Sequence, residues 1–367
     1  MSKLKELIQK LCPNGVEFKK LGALLEYEQP TKYIVKSTYY NDSYTTPVLT
    51  AGQTFILGHT NETTGIYVAT KDNPTIIFDD FTTSFHWVDF NFKIKSSAMK
   101  MLRPKVSDVS FRFIYYAMKC INYEPVDHSR HWISKYSQFE IPLPPLNVQK
   151  EIVRILDTFT SHTAELQAEL QARKEQYEYY RNKLLTFDKD DKNVKWMKLG
   201  EISNVVSGKN KEKNSIGTYP VYGSTGIIAY TENFSYCDER ILVARVGANA
   251  GYTHIASGKY DVSDNTLVVD VKGHINFKYV YYSLVNLNLN KYAKGGGQPL
   301  ITAGEIKTIQ IPIPPLSEQQ RIVSILDKFE SLVNNLTEGI PAEIAAVQEQ
   351  YEYYRNKLLS FPEIKEL

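Results

Sequence analysis

IPLPPLNVQKEIVRILDTF, residues 141 to 159, returns as IPIPPLSEQQRIVSILDKF, residues 311 to 329, at an offset of 170. Further on QYEYYRNKLLTF, Gln176 to Phe187, returns as QYEYYRNKLLSF, Gln350 to Phe361, at an offset of 174. Repeats of this length do not arise by chance. The segments between the copies differ, so the chain reads as two variable units on one duplicated scaffold, and a duplicated scaffold implies a target in two parts.

The repeated segments carry a helical period. Ile152, Leu156, Phe159, Thr163, Leu166, Leu170, Arg173, Tyr177, Tyr180 and Leu184 alternate steps of four and three, a heptad seam with two polar members. In the second copy Ile322, Leu326, Phe329, Val333, Leu336 and Ile340 keep this register. Ile344, Val347, Tyr351, Tyr354 and Leu358 then follow after two successive steps of four, a stutter that accounts for the change of offset. Gly339 and Pro341 sit at the stutter, so a bend or break is expected there, with Pro341 opening the lower half. Such a stripe needs another helix: the two seams either pack antiparallel as a rigid spacer or form the core of an ordinary bundle. Each helix is entered through prolines, Pro142, Pro144 and Pro145 or Pro312, Pro314 and Pro315, which set where it begins.

The variable units share landmarks. VEFKKLG (16 to 22) matches VKWMKLG (194 to 200), and FRFIYY (111 to 116) matches FKYVYY (277 to 282). Between them lie short β-rich runs broken by Gly, Asn and Asp, including 75–78, 87–94, 241–246 and 266–271. The expected fold is therefore mixed α/β: two globular domains related by a pseudo-two-fold, residues 1–140 and 188–310, separated by two long antiparallel coiled-coil helices, 141–187 and 311–367. About forty residues at about 1.5 Å each make such a helix roughly 60 Å long.

Composition adds mild bounds. The 367 residues carry a net charge of +2, and each variable unit has three more Lys and Arg than Asp and Glu. That favours the variable units as polyanion binders. Three scattered cysteines, with no C-x-x-C pair, suggest neither a structural zinc nor disulfides and fit a reducing cytoplasm. The opening MSKLKELIQKLCPNG is amphipathic rather than continuously apolar, and no run reaches the length of a membrane span.

The paired IP-[LI]-PPL-x-x-Q-x-x-IV-x-IL-D-x-F and QYEYYRNKLL segments resemble the conserved regions of the specificity subunit of Type I restriction-modification enzymes. The resemblance covers essentially the whole chain, and Tyr219 to Gly226 (YPVYGSTG) and Gly295 to Pro299 (GGGQP) are also typical of that family. It implies a non-catalytic subunit that binds double-stranded DNA, two methyltransferase subunits and, for cleavage, motor-nuclease subunits. Each variable unit would be a target-recognition domain reading one half of a split, asymmetric site. The helices would set the gap and dock the methyltransferases. S-adenosylmethionine, ATP and magnesium would be used by the partners, with no cofactor in this chain. The family does not imply which bases are read.

The residues agree with a non-catalytic role. No N-P-P-[YFW] loop for a flipped base and no G-x-x-x-x-G-K-[ST] phosphate loop occurs; Asn73-Pro74-Thr75 reads as a turn. Glu17-Phe18-Lys19 and Glu305-Ile306-Lys307 contain the E-x-K of nuclease sites, a triplet common by chance. Gly247 to Gly251 (GANAG) reads as a loop after a strand, and His86, His128 and His131 lack acid or metal partners at diagnostic spacing. A stand-alone DNA-modifying enzyme and a coiled-coil adaptor without DNA contact remain the alternatives.

DNA-contact candidates are loop residues whose donors reach bases or phosphates. In the first unit these are Lys32, Tyr33, Lys36, Thr60, Thr63, Thr64 and Arg130. In the second they are Lys209, Lys211, Lys213, Ser224, Thr225, Arg245, Asn249, Lys294, Gly296 and Gln298. Candidates for helix packing or methyltransferase docking are Ile152, Leu156, Phe159, Tyr177, Tyr180, Leu184, Ile322, Leu326, Phe329, Tyr351, Tyr354 and Leu358. No catalytic or metal-binding residue is expected.

Overall fold

A computed structural model describes residues 2–50, 54–127, 129–211, 217–335 and 337–364. The chain divides into two units, residues 1–165 with 345–367, and residues 166–344. The first unit begins with α1 (Ser2–Leu11), β1 (Glu17–Lys20), α2 (Leu21–Leu24) and β2 (Leu25–Glu28). It continues with β3 (Thr46–Leu49), β4 (Ile56–Thr60), β5 (Thr75–Asp79), β6 (Phe85–Val88), β7 (Lys93–Ile94) and β8 (Met99–Pro104). Then come α3 (Phe111–Met118), α4 (His131–Ser134) and β9 (Glu140–Leu143), which leads into α5 (Leu146–Leu185).

The second unit repeats this order. It has β10 (Lys195–Lys198), α6 (Leu199–Ile202), β11 (Ser203–Ser207), β12 (Tyr219–Gly223), β13 (Gly226–Thr231) and β14 (Arg240–Ala244). After β15 (Thr253–Ala256), β16 (Asp261–Val262) and β17 (Thr266–Val271) come α7 (Phe277–Leu287), α8 (Ala303–Thr308) and β18 (Gln310–Ile313). The chain ends with α9 (Leu316–Asn334) and α10 (Ile340–Leu358).

Sheet topology is the same in both units: four strands ordered β2-β8-β5-β6 against β11-β17-β14-β15, three ordered β4-β3-β7 against β13-β12-β16, and the pairs β1-β9 and β10-β18. The central strands explain why these short apolar runs fold as they do. Side chains alternate across a strand, so Ile76 and Phe78 enter one core while Ile77 enters another, and Ile241 and Val243 divide from Leu242 in the same way. One expected strand is two: the run at 87–94 breaks between β6 and β7, which belong to different sheets.

The β1-β9 and β10-β18 ladders pair the strand that opens each variable unit with the proline-containing strand that closes it, Lys20 opposite Glu140 and Lys198 opposite Gln310. The two ends of each variable unit therefore meet where the long helix starts. α5 is a continuous helix of 40 residues, whereas the second repeat is α9 and α10, broken at the expected stutter. Gly339 is needed there: a Cβ at this position would lie 2.6 Å from the Ser331 carbonyl oxygen. The Asn335 side chain accepts the Thr337 N–H at 2.8 Å across the break.

The seams are filled within each unit. In the first, Ile152 and Leu156 share a core with Tyr351 and Leu358, and Phe159 stacks on Tyr354 with ring centroids 5.6 Å apart. In the second, Tyr177 shares a core with Ile322 and Leu326, and Tyr180 stacks on Phe329 at 5.5 Å. Early residues of one helix meet late residues of the other in both cases, as antiparallel helices require. Among the described residues, no helix is long and apolar enough to cross a membrane.

Candidate nucleic-acid interface

In the second unit the candidate residues gather around one turn, Ser263 to Asn265, between β16 and β17. The Asp264 N–H donates to the Asn210 carbonyl at 3.1 Å, and the Lys209 N–H donates to the Val262 carbonyl at 3.1 Å, which seats the basic loop carrying Lys209 and Lys211 beside it. From the β12 to β13 turn, the Ser224 hydroxyl donates to the Asn265 carbonyl at 3.4 Å, with Thr225 exposed next to it. Arg245, directly after β14, donates its backbone N–H to Asn265 at 2.9 Å and accepts the Ile301 N–H at 2.9 Å. Its guanidinium Nη1 donates to the Asp264 carbonyl at 3.4 Å, while Nε is buried without a hydrogen-bond partner. The loop 294–300 closes on itself through paired Lys294 and Leu300 backbone bonds, and the Pro299 carbonyl accepts the Gly247 N–H at 2.9 Å.

Separate stretches of chain thus present Lys209, Lys211, Thr225, Asn249, Gly296 and Gln298 as exposed groups, with Arg245 half-buried among them. Lys213 lies outside the described residues. Gly295 has φ +108, a conformation that favours glycine, and a Cβ at Gly296 or Gly297 would meet nothing within 4 Å. The triplet is therefore open to close approach by another backbone. Lys294 is engaged with Glu305 at 2.8 Å. Hydrogen bonds from Lys294 and Thr302 hold the Glu305 carboxyl down at about 2, so this tie persists through the neutral range and is lost only as pH falls through that value. For Lys294 to neutralise a phosphate it would have to exchange partners. The GANAG segment is a turn after a strand, as expected, with the Gly251 N–H bonded back to Ala244 at 2.8 Å.

In the first unit Lys32, Tyr33, Lys36, Thr63 and Thr64 come together. Glu62 accepts the backbone N–H groups of Lys36 and Ser37, both at 2.8 Å, and pairs with the buried Lys93 ammonium at 3.0 Å. Burial opposes charge on Glu62, but these hydrogen bonds outweigh it and hold the carboxyl below its usual range. The Thr64 carbonyl accepts from Lys93 at 2.7 Å, leaving the Thr63 and Thr64 side chains exposed beside the Lys32 to Lys36 turn. Tyr33 donates to Glu28 at 2.9 Å, and burial with that bond pushes its hydroxyl up to about 12. Thr60 is a correction: it is 1% exposed at the end of β4, and its hydroxyl accepts the Glu62 N–H, so it has no surface to offer. Arg130 is exposed ahead of α4, placed by the His131 N–H, which donates to Asp80 at 2.8 Å. His131 is a buried packing residue between Tyr123 and Asp127, and His128 lies outside the described residues.

Arg245 has a topological counterpart in the first unit. Asp80 follows β5 as Arg245 follows β14, donates its N–H to Ala98 at 2.9 Å, and accepts the His131 N–H where Arg245 accepts that of Ile301. The buried Asp80 carboxylate is committed inside the unit, with Oδ2 in an ion pair with Lys100 at 3.0 Å and Oδ1 accepting the Trp132 N–H at 2.8 Å. The same position is structural in one unit and presents a guanidinium in the other.

The helix candidates fall on one side of the two roles they were given. Ile152, Leu156, Ile322 and Leu326 have no exposed surface, Tyr177, Tyr351 and Leu358 are buried, and Phe159, Tyr180, Leu184, Phe329 and Tyr354 are half-buried against the cores. They pack the helices and leave little for a partner. What sequence reasoning missed is the opposite face: Tyr179 and Tyr353, each 58% exposed, at matching positions of the repeat. Lys183 and Lys357 lie over their rings at 5.7 and 5.3 Å. The signal was available, because these residues recur letter for letter while lying off the seam.

The family model for the Type I restriction modification DNA specificity domain matches residues 13–176 and 191–346. The chain is 42% identical over 400 residues to the EcoR124I/EcoR124II type I restriction enzyme specificity subunit of Escherichia coli, with 99% of this chain and 98% of that one covered. Its fold is similar to that of the S subunit of a Type I restriction-modification system from M. genitalium, at a TM-score of 0.63 and 15% identity over 94% of this chain and 96% of that one. It is also similar to a chain from a structural study of assembly and conformational transition in a type I R-M system, at a TM-score of 0.58 and 18% identity over 95% and 98%. The family domain found twice, in two units of matching topology, and a relative aligned end to end establish that this chain belongs to the Type I restriction-modification DNA specificity subunits.

Proposed function

We propose that each unit reads one half of a bipartite, asymmetric double-stranded DNA site, with residues 1–140 and 188–310 as the recognition domains and the helical segments 141–187 and 311–367 setting the unread gap. The observation that carries this reading is the convergence of loops from separate stretches of chain on the Ser263 to Asn265 turn, on a topology that recurs in the first unit with different loops. Arg245 suits guanine, Asn249 and Gln298 suit adenine, and Lys209 and Lys211 suit phosphates. The Glu62-clipped cluster of Lys32, Lys36, Thr63 and Thr64 is the corresponding surface of the first unit.

The partners in this reading are two methyltransferase subunits and, for cleavage, motor-nuclease subunits, working in the cytoplasm. S-adenosylmethionine, ATP and magnesium belong to those partners, which extrude the target base from the stack because their chemistry cannot reach it inside the duplex. Tyr179 with Lys183, and Tyr353 with Lys357, offer the same exposed aromatic and cationic pair twice, which suits one kind of partner bound twice. The test is reconstitution. Purified chain should bind site-containing DNA yet show no methylation or cleavage with S-adenosylmethionine, ATP and magnesium. Adding the methyltransferase should restore turnover, and Tyr179→Ala with Tyr353→Ala should weaken that restoration by about tenfold or more, the effect of losing an interface anchor. Turnover by the chain alone would overturn the reading in favour of a stand-alone enzyme, and absence of DNA binding in favour of an adaptor.

A further inference from the structure

Gln149 and Gln319, at matching positions of the repeat, are each 2% exposed, an unusual place for a polar side chain. Each is the fourth residue of its long helix. The Gln149 side chain accepts the Ser110 N–H at 2.9 Å and donates to the Pro144 carbonyl at 2.7 Å. Gln319 accepts the Asn276 N–H at 2.9 Å and donates to the Pro314 carbonyl at 2.8 Å. Ser110 and Asn276 are the N-caps of α3 and α7, whose side chains accept from Phe113 and Tyr279. One carboxamide therefore ties the first turn of a domain helix to the proline step that launches the long helix. A primary amide does this without a change of protonation state, accepting at its oxygen and donating at its nitrogen.

Eight residues further on, a second tie joins the same two helices. Asp157 accepts from Arg112 at 2.9 Å and from the Tyr116 hydroxyl at 2.5 Å. Asp327 accepts from Lys278 at 2.9 Å and from the Tyr282 hydroxyl at 2.6 Å. A single attachment would let a domain swivel on its helix, whereas two attachments about 12 Å apart along the axis fix its direction. The four residues are repeated between units whose DNA-facing loops are not.

We propose that Gln149 and Gln319, together with Asp157 and Asp327, are positioning residues that lock each recognition domain onto its own long helix and thereby determine how strictly the enzyme measures the spacer. This rests on the proposed division of labour between domains and helices. Without the carboxamide, the buried proline carbonyl and the half-buried N-cap N–H both lose their partner, and the junction must rearrange for the carbonyl to reach water.

The test compares wild type with Gln149→Met and Gln319→Met, which keep length and volume, and with Gln319→Glu, which keeps the acceptor and loses the donor. Each is reconstituted with the methyltransferase on a DNA library of fixed half-sites and varied spacer, with thermal unfolding followed in parallel. We expect unchanged half-site preference and a rise of about tenfold in methylation at spacers one base pair too long or too short, relative to the correct one. That corresponds to about 1.4 kcal/mol, the scale of one lost buried hydrogen bond. Spacer selectivity equal to wild type in folded Met and Glu variants would refute the lock, as would lower stability accompanied by a uniform fall at every spacer. If wild type itself showed no spacer dependence, the underlying reading of the helices would fail instead.

Discussion

Duplicating Gln167 to Leu170 in α5 lengthens the unread spacer of the target and leaves both half-site sequences unchanged. Thr163-Ala164-Glu165-Leu166 is followed directly by Gln167-Ala168-Glu169-Leu170, within a helix continuous from Leu146 to Leu185. The division of the chain into units falls between Glu165 and Leu166, inside this module. Of the eight side chains Leu166 is buried, Thr163 and Leu170 are half-buried and the other five are exposed. Leu170 rests against the second core, and the duplicated copy supplies a leucine at the same place in the repeat. Four added residues lengthen the helix by about 6 Å and rotate it by about 40° beyond a full turn. The change in spacer need not equal 6 Å of duplex, because the seam takes up a stutter and DNA bends and twists to meet the protein. Methylome sequencing of a host carrying the insertion decides the matter. An unchanged spacer at full activity would show that α5 is not the ruler, and altered half-site bases would show that it also shapes the reading domains.

Arg245→Ala relaxes one base position of the second half-site and costs about 1 to 3 kcal/mol of specific binding. Its backbone is pinned on both sides, to Asn265 and Ile301, and one guanidinium nitrogen is committed to Asp264. The fork is thus held rather than free, which suits a bidentate contact to guanine. Lys211 is exposed on the adjacent loop, and Lys211→Ala should weaken binding to all sequences alike and lower the salt slope by about one. Binding to a set of single-base variants at two salt concentrations separates these outcomes. A uniform loss for Arg245→Ala would make it a phosphate contact.

The scaffold was legible because it is written twice. Seam residues such as Ile152 and Tyr177 and the break at Gly339 follow from period, proline placement and self-comparison, whereas the strand pairs at Lys20 and Lys198 join segments that sequence comparison marks only as shared landmarks. The recognition surfaces were legible only in part. Thr60 has the same hydroxyl as Thr63 and Thr64, yet it ends a strand and turns inward, a difference of tertiary pairing that residue type does not carry. Asp80 and Arg245 occupy one topological position with opposite charge, so likeness between the units could not point from one to the other. Gln149 and Gln319 were visible as repeated letters, but their role depends on backbone atoms of Ser110, Asn276 and two prolines. Tyr179 and Tyr353 recur as letters too, but helical period marks the packed face and carries no signal for exposed residues that lie off the seam.

The central claim is that the two units read independently. Exchanging residues 23 to 140 for the corresponding segment of a relative, and sequencing the methylome of a host that carries the hybrid with its methyltransferase, tests it most directly. The account predicts a methylated motif in which one half-site changes while the other half-site and the spacer stay as they were. A motif altered in both halves would contradict it.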